Sequence, residues 1–141
     1  MNRRDSRVAL HCEAPLVTIV DDDEAVCEAL ESLLKSVGFR ADVFASAEGF
    51  INSDHLDETK CLILDVRMPG MSGLELQEQL AAAYNHIPII FITAHADDDA
   101  RARAMQSGAV AFLSKPFVES ALLDAVRATT GTSAGGDEPP A

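Results

Sequence analysis

Hydrophobic and polar positions along the chain follow two alternating patterns. Five short segments are rich in β-branched and other apolar residues, and the third and fourth are almost continuously apolar. Such runs are typical of strands that are buried on both faces of a sheet. The pattern predicts strands at residues 16–20, 40–44, 61–64, 87–92 and 110–113.

A segment with helical spacing follows each predicted strand. The first has apolar residues at i, i+3 and i+4 positions and closes at Gly38, and the last stops before Gly131. Ser46 is a candidate N-cap for a shorter helix. The helices are predicted within residues 26–37, 46–51, 73–84, 97–106 and 118–126.

Five β-α units predict one α/β domain, in which helices cover both faces of a parallel sheet and the crossovers are right-handed. The domain is predicted at residues 16–130. A flexible tail is expected at residues 1–15, and a disordered one at residues 131–141, which carry no large apolar side chain. In such sheets a ligand site lies at the carboxyl ends of the strands, near the point where the strand order reverses.

Composition narrows the function classes. No apolar run approaches the ~20 residues of a membrane span, and the amino terminus lacks a signal-peptide pattern. We therefore expect a cytoplasmic protein with no membrane partner. The net charge of -12 argues against non-specific nucleic-acid binding, because nothing would neutralise the phosphates, although it does not exclude a small local basic patch. Three cysteines without metal-binding spacing are expected to be free and mostly buried thiols, namely Cys12, Cys27 and Cys61.

Polar side chains follow four of the five predicted strands. Strand 1 leads into Asp21 and Asp22, and strand 3 into Asp65, whereas strand 4 ends at Thr93 and strand 5 leads to Lys115. Carboxylates that meet at one edge repel unless a cation intervenes, and Mg²⁺ suits a site of a few carboxylates, waters and phosphate oxygens. A carboxylate nucleophile, a metal, a lysine and a hydroxyl are the groups that phosphoryl transfer needs.

Each of these residues has an ordinary structural explanation when it is taken alone. Acidic residues such as Asp22, Asp23 and Glu24 often open a helix because the helix dipole favours them. Asp65 is different, since it follows four apolar residues and precedes the turn signal Met68-Pro69-Gly70. The joint occurrence of the set at four strand ends favours a functional site.

The motifs around these residues are Val20-Asp21-Asp22-Asp23, the run from Leu64 to Gly73, Ile92-Thr93-Ala94-His95, and the run from Ser107 to Phe117. They resemble the motifs of response-regulator receiver domains in two-component systems, and FixJ-like receivers in particular. The resemblance covers about residues 15–130. It implies the (βα)5 flavodoxin-like receiver fold, with five helices around a five-stranded parallel sheet in the order 2-1-3-4-5.

The resemblance also implies a role for each acidic residue. Asp65 would accept a phosphoryl group from the phosphohistidine of a sensor histidine kinase or a histidine phosphotransfer protein. Asp21, Asp22 and Asp65 would hold Mg²⁺ together with the backbone carbonyl of Arg67. The chain would then be a signalling switch that catalyses only its own phosphorylation and dephosphorylation.

The remaining roles concern the response to phosphorylation. The resemblance implies that Thr93 and Lys115 bind the phosphoryl oxygens, that Phe112 turns inward as Thr93 moves, and that the Lys115-Pro116 bond is cis. The surface of helix 4, strand 5 and helix 5 would then contact an unknown downstream protein or form a phosphorylation-dependent homodimer. No DNA-binding output domain is expected in this chain.

Arg67 and His95 lie two residues beyond Asp65 and Thr93, at positions that vary in the family. Because both side chains are bulky, we hypothesise that they flank the path of the hydrolytic water and tune the phosphate lifetime.

Three rivals have weaker sequence support. A phosphatase of the haloacid-dehalogenase type needs a second aspartate where this chain has Arg67. A receiver-like module that is not phosphorylated typically lacks one of the key residues that are all present here. A flavin-binding protein needs a phosphate-cradling loop where this chain has Asp21-Asp22-Asp23.

Overall fold

A computed structural model of the protein describes residues 14–83, 85–94 and 97–131. Strands and helices alternate through these ranges. Their bounds are β1 Leu16–Val20, α1 Glu24–Ser36, β2 Arg40–Phe44, α2 Ala47–Ile51, β3 Thr59–Asp65, α3 Gly73–Ala82, β4 Ile89–Thr93, α4 Asp98–Gln106, β5 Ala111–Ser114 and α5 Glu119–Thr130. Within the described ranges, no helix is both long and apolar enough to span a membrane.

The five strands form one parallel sheet in the order β2-β1-β3-β4-β5. This arrangement confirms the predicted fold class and strand order. The order reverses between β1 and β3, which are hydrogen-bonded neighbours with Val20 paired to Leu64. The residues that follow this pair along the chain are Asp21 and Asp65, so the topology brings the two carboxylates to the same edge.

The sheet separates two apolar clusters. Strand β3 supplies both of them because successive side chains of a strand point to opposite faces. Leu62 and Leu64 pack with residues of α2, α3 and α4, whereas Cys61 and Ile63 pack with residues of α1 and α5. All four are fully buried. Burial on both faces explains why this segment is continuously apolar rather than alternating.

Strand bounds differ from the predicted ones at three places. Strand β3 is longer at both ends, and β5 is shifted by one residue. Strand β4 begins at Ile89 rather than at residue 87. Pro88 has no N–H for the ladder, although its carbonyl accepts a hydrogen bond of 2.9 Å from the backbone N–H of Leu62. Strands β1 and β2 have their predicted bounds.

Side-chain caps fix the starts of α1 to α4, whereas α5 begins after Val118 without a side-chain cap. Ser46 caps α2 as predicted, and its hydroxyl accepts a hydrogen bond of 3.0 Å from the N–H of Gly49. Asp23 caps α1 and Asp97 caps α4. A capping box at Ser72 opens α3.

The predicted end of the third helix and most of both predicted tails lie outside the described residues. Helix α3 ends at Ala82, and Tyr84, the last residue of the predicted helix, lies outside the described residues. Helix α1 ends at Ser36, two residues before Gly38, whose φ is 97°. Residues 1–13 and 132–141 also lie outside the described residues, so the expected tails stay predictions.

Candidate functional site

Side chains from three strand ends meet at the carboxyl edge of the sheet. The Nζ of Lys115, which follows β5, lies 2.8 Å from Oδ2 of Asp21 and 3.6 Å from Oδ2 of Asp65. Asp21 and Asp65 are buried, with relative exposures of 1% and 6%. The other carboxylate oxygen of Asp21 accepts a hydrogen bond of 2.9 Å from the N–H of Asp23. The structure therefore brings these three predicted residues together.

Asp22 completes an acidic cluster with Asp21 and Asp65. One carboxylate oxygen from each residue lies within 4.8 Å of the other two. Asp22 is exposed, so the cluster opens to solvent on one side. Hard oxygen donors on a partly open rim fit Mg²⁺, which retains several waters. The donor set therefore fits the predicted cation.

Burial and charge act together on Asp65. Burial raises its pKa from 3.8 to about 6, and the charge of Asp21 adds to the rise, whereas Lys115 opposes it. At neutral pH the carboxyl group is therefore mainly ionised. It retains the negative charge that a nucleophile or a metal ligand needs.

Lys115 is the cation that faces this pair. Burial alone would lower its pKa, but the hydrogen bond and charge of Asp21, with the charge of Asp65, outweigh burial and raise it. Lys115 therefore stays positive at neutral pH. The ammonium group of Lys115 pairs with Asp21 and Asp65, while the cluster of Asp21, Asp22 and Asp65 contains three carboxylates. The excess negative charge among these groups favours a divalent cation at this edge.

Thr93 and Lys115 are linked through the backbone. The N–H of Lys115 donates a 2.8 Å hydrogen bond to the carbonyl of Thr93, and the bond between Lys115 and Pro116 is cis. Thr93 is the last residue of β4 and is 1% exposed. Its strand end therefore lies next to that of Lys115, as the predicted topology requires.

The ring of Phe112, the predicted switch aromatic, is buried in this structure. It is 4% exposed, and its centroid lies 6.0 Å from that of Phe91. The guanidinium carbon of Arg101, on α4, lies 5.8 Å from the Phe112 centroid. The ring therefore lies between the Phe91 ring of the sheet and the Arg101 guanidinium of α4.

The loop between β3 and α3 is held close to Asp65. A Cβ on Gly73 would lie 2.1 Å from the backbone oxygen of Asp65, so only glycine fits there. The Gly73 N–H donates a 2.9 Å hydrogen bond to the carbonyl of Val66. Farther along the loop, the N–H of Met71 donates a 3.0 Å hydrogen bond to the carboxylate of Glu48 on α2.

Arg67 and His95 were predicted to flank the site. The Arg67 N–H donates a 3.4 Å hydrogen bond to Asp65, but its guanidinium donates to the carboxylate of Asp97, at 3.2 Å. His95 lies outside the described residues. The contact with Asp97 was missed because a partner 30 positions away leaves no local pattern. Glu48 was missed for the same reason.

The described cysteines are free and buried, as expected, and Cys12 lies outside the described residues. The Sγ of Cys27 donates a 3.2 Å hydrogen bond to the backbone oxygen of Asp21. Burial, with the charge of Asp21, raises the pKa of Cys27 to about 11. The thiol therefore stays protonated and supports the loop after β1.

Comparison with known proteins identifies the chain's relatives. The family model described as the response regulator receiver domain matches residues 17–127. The response regulator protein TodT of Pseudomonas putida is 50% identical over 115 residues, which are 82% of this chain and 51% of TodT. Nodulation protein W of Bradyrhizobium diazoefficiens is 50% identical over 123 residues, which are 85% of this chain and 54% of that protein.

A solved structure shares the fold. The response regulator receiver protein from Burkholderia phymatum has a TM-score of 0.73 and 42% identity, and the match covers 86% of this chain and 99% of that one. This chain spans about half the length of the curated relatives it matches.

Gly73→Ala should disturb the position of Asp65. The added methyl group would push on the Asp65 backbone, and overpacking of this kind costs about 1–3 kcal/mol of unfolding free energy. Urea unfolding should show a lower free energy of unfolding than in the wild type, and Mg²⁺ titration should show weaker Mg²⁺ binding. The control is Gly49→Ala, whose methyl group would meet the side-chain oxygen of Ser46 at 3.1 Å, so a shift of a few tenths of an ångström in a side chain, rather than in backbone, relieves the contact. Equal stability and Mg²⁺ affinity for Gly73→Ala and wild type would contradict the close approach.

Asp65→Asn should raise thermal stability in metal-free buffer at about pH 7.5, because a neutral amide removes the repulsion with Asp21. The folded-state pKa of about 6 exceeds the ordinary 3.8, so the folded protein holds this proton more tightly. The stabilisation of the folded state by this bound proton is fully present below about pH 4, and it is lost as the pH rises through about 6. The advantage of Asp65→Asn should therefore shrink at about pH 4.5. The exposed Asp57→Asn variant serves as the control. A thermal stability difference between Asp65→Asn and wild type that does not change with pH would contradict repulsion between Asp65 and Asp21 as its cause.

Proposed function

The chain belongs to the response regulator receiver family, and from this premise we propose that it is a Mg²⁺-dependent switch that is phosphorylated on Asp65. Receiver domains are signalling switches that interact with histidine kinases or phosphotransfer proteins, and they generally bind Mg²⁺ through acidic residues. The observation that carries the proposal is the contact of Lys115 with both Asp21 and Asp65 at the sheet edge.

The transfer step follows from the charges of the site. An Asp65 oxygen, ionised at neutral pH, forms a bond to phosphorus as the bond from phosphorus to the donor histidine nitrogen breaks. Asp21, Asp22 and the Arg67 carbonyl would hold Mg²⁺ beside Asp65. Mg²⁺ supplies positive charge that offsets the repulsion between Asp65 and the incoming phosphoryl group.

Two further residues would receive the transferred group. Lys115 stays cationic and pairs with phosphoryl oxygens, and the Thr93 hydroxyl donates a hydrogen bond to them. Phosphorylation then shifts the equilibrium toward the conformation in which these contacts are best made. Because Lys115 and Thr93 are joined by a backbone hydrogen bond, the ends of β4 and β5 respond together.

The signal would leave through the surface of α4, β5 and α5. Phe112 lies between β4 and Arg101 of α4, so rearrangement at the end of β4 reaches α4 through this ring. Residues 100–105 and 118–127 would contact a downstream protein or a second copy of the chain. In this proposal the receiver acts in the cytoplasm by protein contact and binds neither nucleic acid nor membrane.

Incubation with acetyl phosphate and Mg²⁺ followed by intact-mass measurement tests the acceptor. The wild type should gain one phosphoryl group, and Asp65→Asn should gain none because an amide is not a nucleophile here. Asp57→Asn, which alters an exposed aspartate, should gain the group as the wild type does. A wild type that gains no group and does not respond to beryllofluoride would instead support an unphosphorylated interaction module.

Dephosphorylation rates test the tuning residues. We expect Arg67→Ala and His95→Ala to change the lifetime of the phosphorylated protein, because each removes a bulky side chain two residues beyond a residue of the proposed phosphoryl site. The decay can be followed by the same mass measurement after the donor is removed. Arg40→Ala, far from Asp65 at the start of β2, is the control. Unchanged lifetimes in both test variants would refute the tuning role.

A further inference from the structure

An ion pair joins the loop after β3 to the start of α4. The Nη2 of Arg67 donates to Oδ2 of Asp97 at 3.2 Å, and the two side chains are 61% and 47% exposed. Arg67 is two residues beyond Asp65 and its backbone N–H faces the Asp65 carboxylate. The pair therefore connects the immediate neighbourhood of Asp65 to the helix that borders Phe112.

Each carboxylate oxygen of Asp97 accepts a hydrogen bond from a different partner. Its Oδ1 accepts a 2.7 Å hydrogen bond from the N–H of Ala100 and so caps α4, while Oδ2 faces Arg67. The Ala100 N–H, together with Arg67, lowers the pKa of Asp97, so the carboxylate stays charged at neutral pH. It is therefore a permanent anionic partner for Arg67.

Helix α4 has little apolar contact to hold it in place. Its nine residues bury only Ala100 and Ala104. Polar contacts supplement them, since the Nε2 of the buried Gln77 donates to the Ala104 carbonyl at 3.0 Å. The ion pair of Asp97 with Arg67 connects the N-terminus of α4 to the loop after β3. A change at that contact can therefore shift the start of the helix.

We propose that Asp97 is a positioning residue that competes with the phosphoryl group on Asp65 for the guanidinium of Arg67. The inference rests on the proposed function. A phosphoryl group carries more negative charge than a carboxylate and offers three strong acceptor oxygens. A phosphoryl group on Asp65 is therefore a stronger partner than Asp97 for the Arg67 guanidinium, since the Arg67 backbone already contacts the Asp65 carboxylate.

Partner exchange would give phosphorylation a second route to α4. When Arg67 turns to the phosphoryl oxygens, Asp97 keeps its hydrogen bond to Ala100 and loses its tie to the β3 loop. The start of α4 is then released from that loop. This route is electrostatic and acts beside the route through Thr93 and Phe112.

The chain offers a matched control pair. Arg103 of α4 donates to the carboxylate of Glu78 on α3 at 3.4 Å, and these side chains are 59% and 62% exposed. Both pairs join an arginine to a carboxylate and hold α4 to a neighbouring segment with similar exposure, the Arg67 pair to the loop after β3 and the Arg103 pair to α3. Only the Arg67 pair borders Asp65, so only that pair should respond to the phosphoryl site.

Beryllofluoride, a phosphoryl mimic, measures the competition at equilibrium. Asp97→Asn removes the competing charge and keeps a good N-cap, so thermal stability should hardly change. In the presence of Mg²⁺, half-saturation followed by amide NMR should occur at a concentration about two- to five-fold lower than in wild type, the range expected for an exposed ion pair. Glu78→Gln should match wild type.

The same Asp97→Asn change, made in an Arg67→Gln variant, distinguishes competition for the guanidinium from a structural effect of the substitution. In Arg67→Gln, adding Asp97→Asn should leave beryllofluoride affinity unchanged, because there is no guanidinium to compete for. Equal affinity of Asp97→Asn and wild type, or the same gain with and without Arg67, would overturn the inference while leaving the phosphoacceptor role intact. A wild type that does not bind beryllofluoride would overturn both.

Discussion

The contact of Lys115 with Asp21 and Asp65 is the interaction on which the site depends. Two buried carboxylates from neighbouring strands would repel each other strongly, and the lysine that follows the outermost strand β5 offsets part of that repulsion. The remaining imbalance raises the pKa of Asp65 to about 6 and makes a divalent cation a favourable partner. The charge imbalance that destabilises the edge of the fold therefore also prepares it for metal and phosphoryl binding.

The sheet topology creates this contact. Because β1 and β3 are neighbours, Asp21 and Asp65 emerge side by side, and the parallel order places Lys115 on the same edge. Close packing then fixes the details. Gly73 lets α3 begin against the backbone of Asp65, and Glu48 holds the loop between them. The backbone of Asp65 is therefore closely confined, and in the proposed function a phosphoryl group on Asp65 would act on the neighbouring loops and on α4.

Much of this could be predicted from the sequence, because the relevant signals are local. Apolar runs fix the strands, and a strand that ends in Asp65 must present it at the carboxyl edge. The start of β4 was misplaced because Pro88 interrupts the ladder inside an apolar run. The predicted switch role of Phe112 came from family resemblance rather than from pattern. Arg67–Asp97 and Glu48–Met71 could not be predicted, since each depends on loop conformations that join distant segments.

Magnesium titration followed by amide NMR would show whether the carboxylates at this edge form a cation site. We expect saturable binding of one Mg²⁺ ion per chain, with the largest chemical-shift changes around Asp22, Asp65 and Arg67. Asp22→Asn should weaken that binding, whereas Asp57→Asn should not. Shifts that do not saturate, that centre elsewhere, or that are the same in Asp22→Asn would contradict the claim that excess carboxylate charge at this edge builds a cation site.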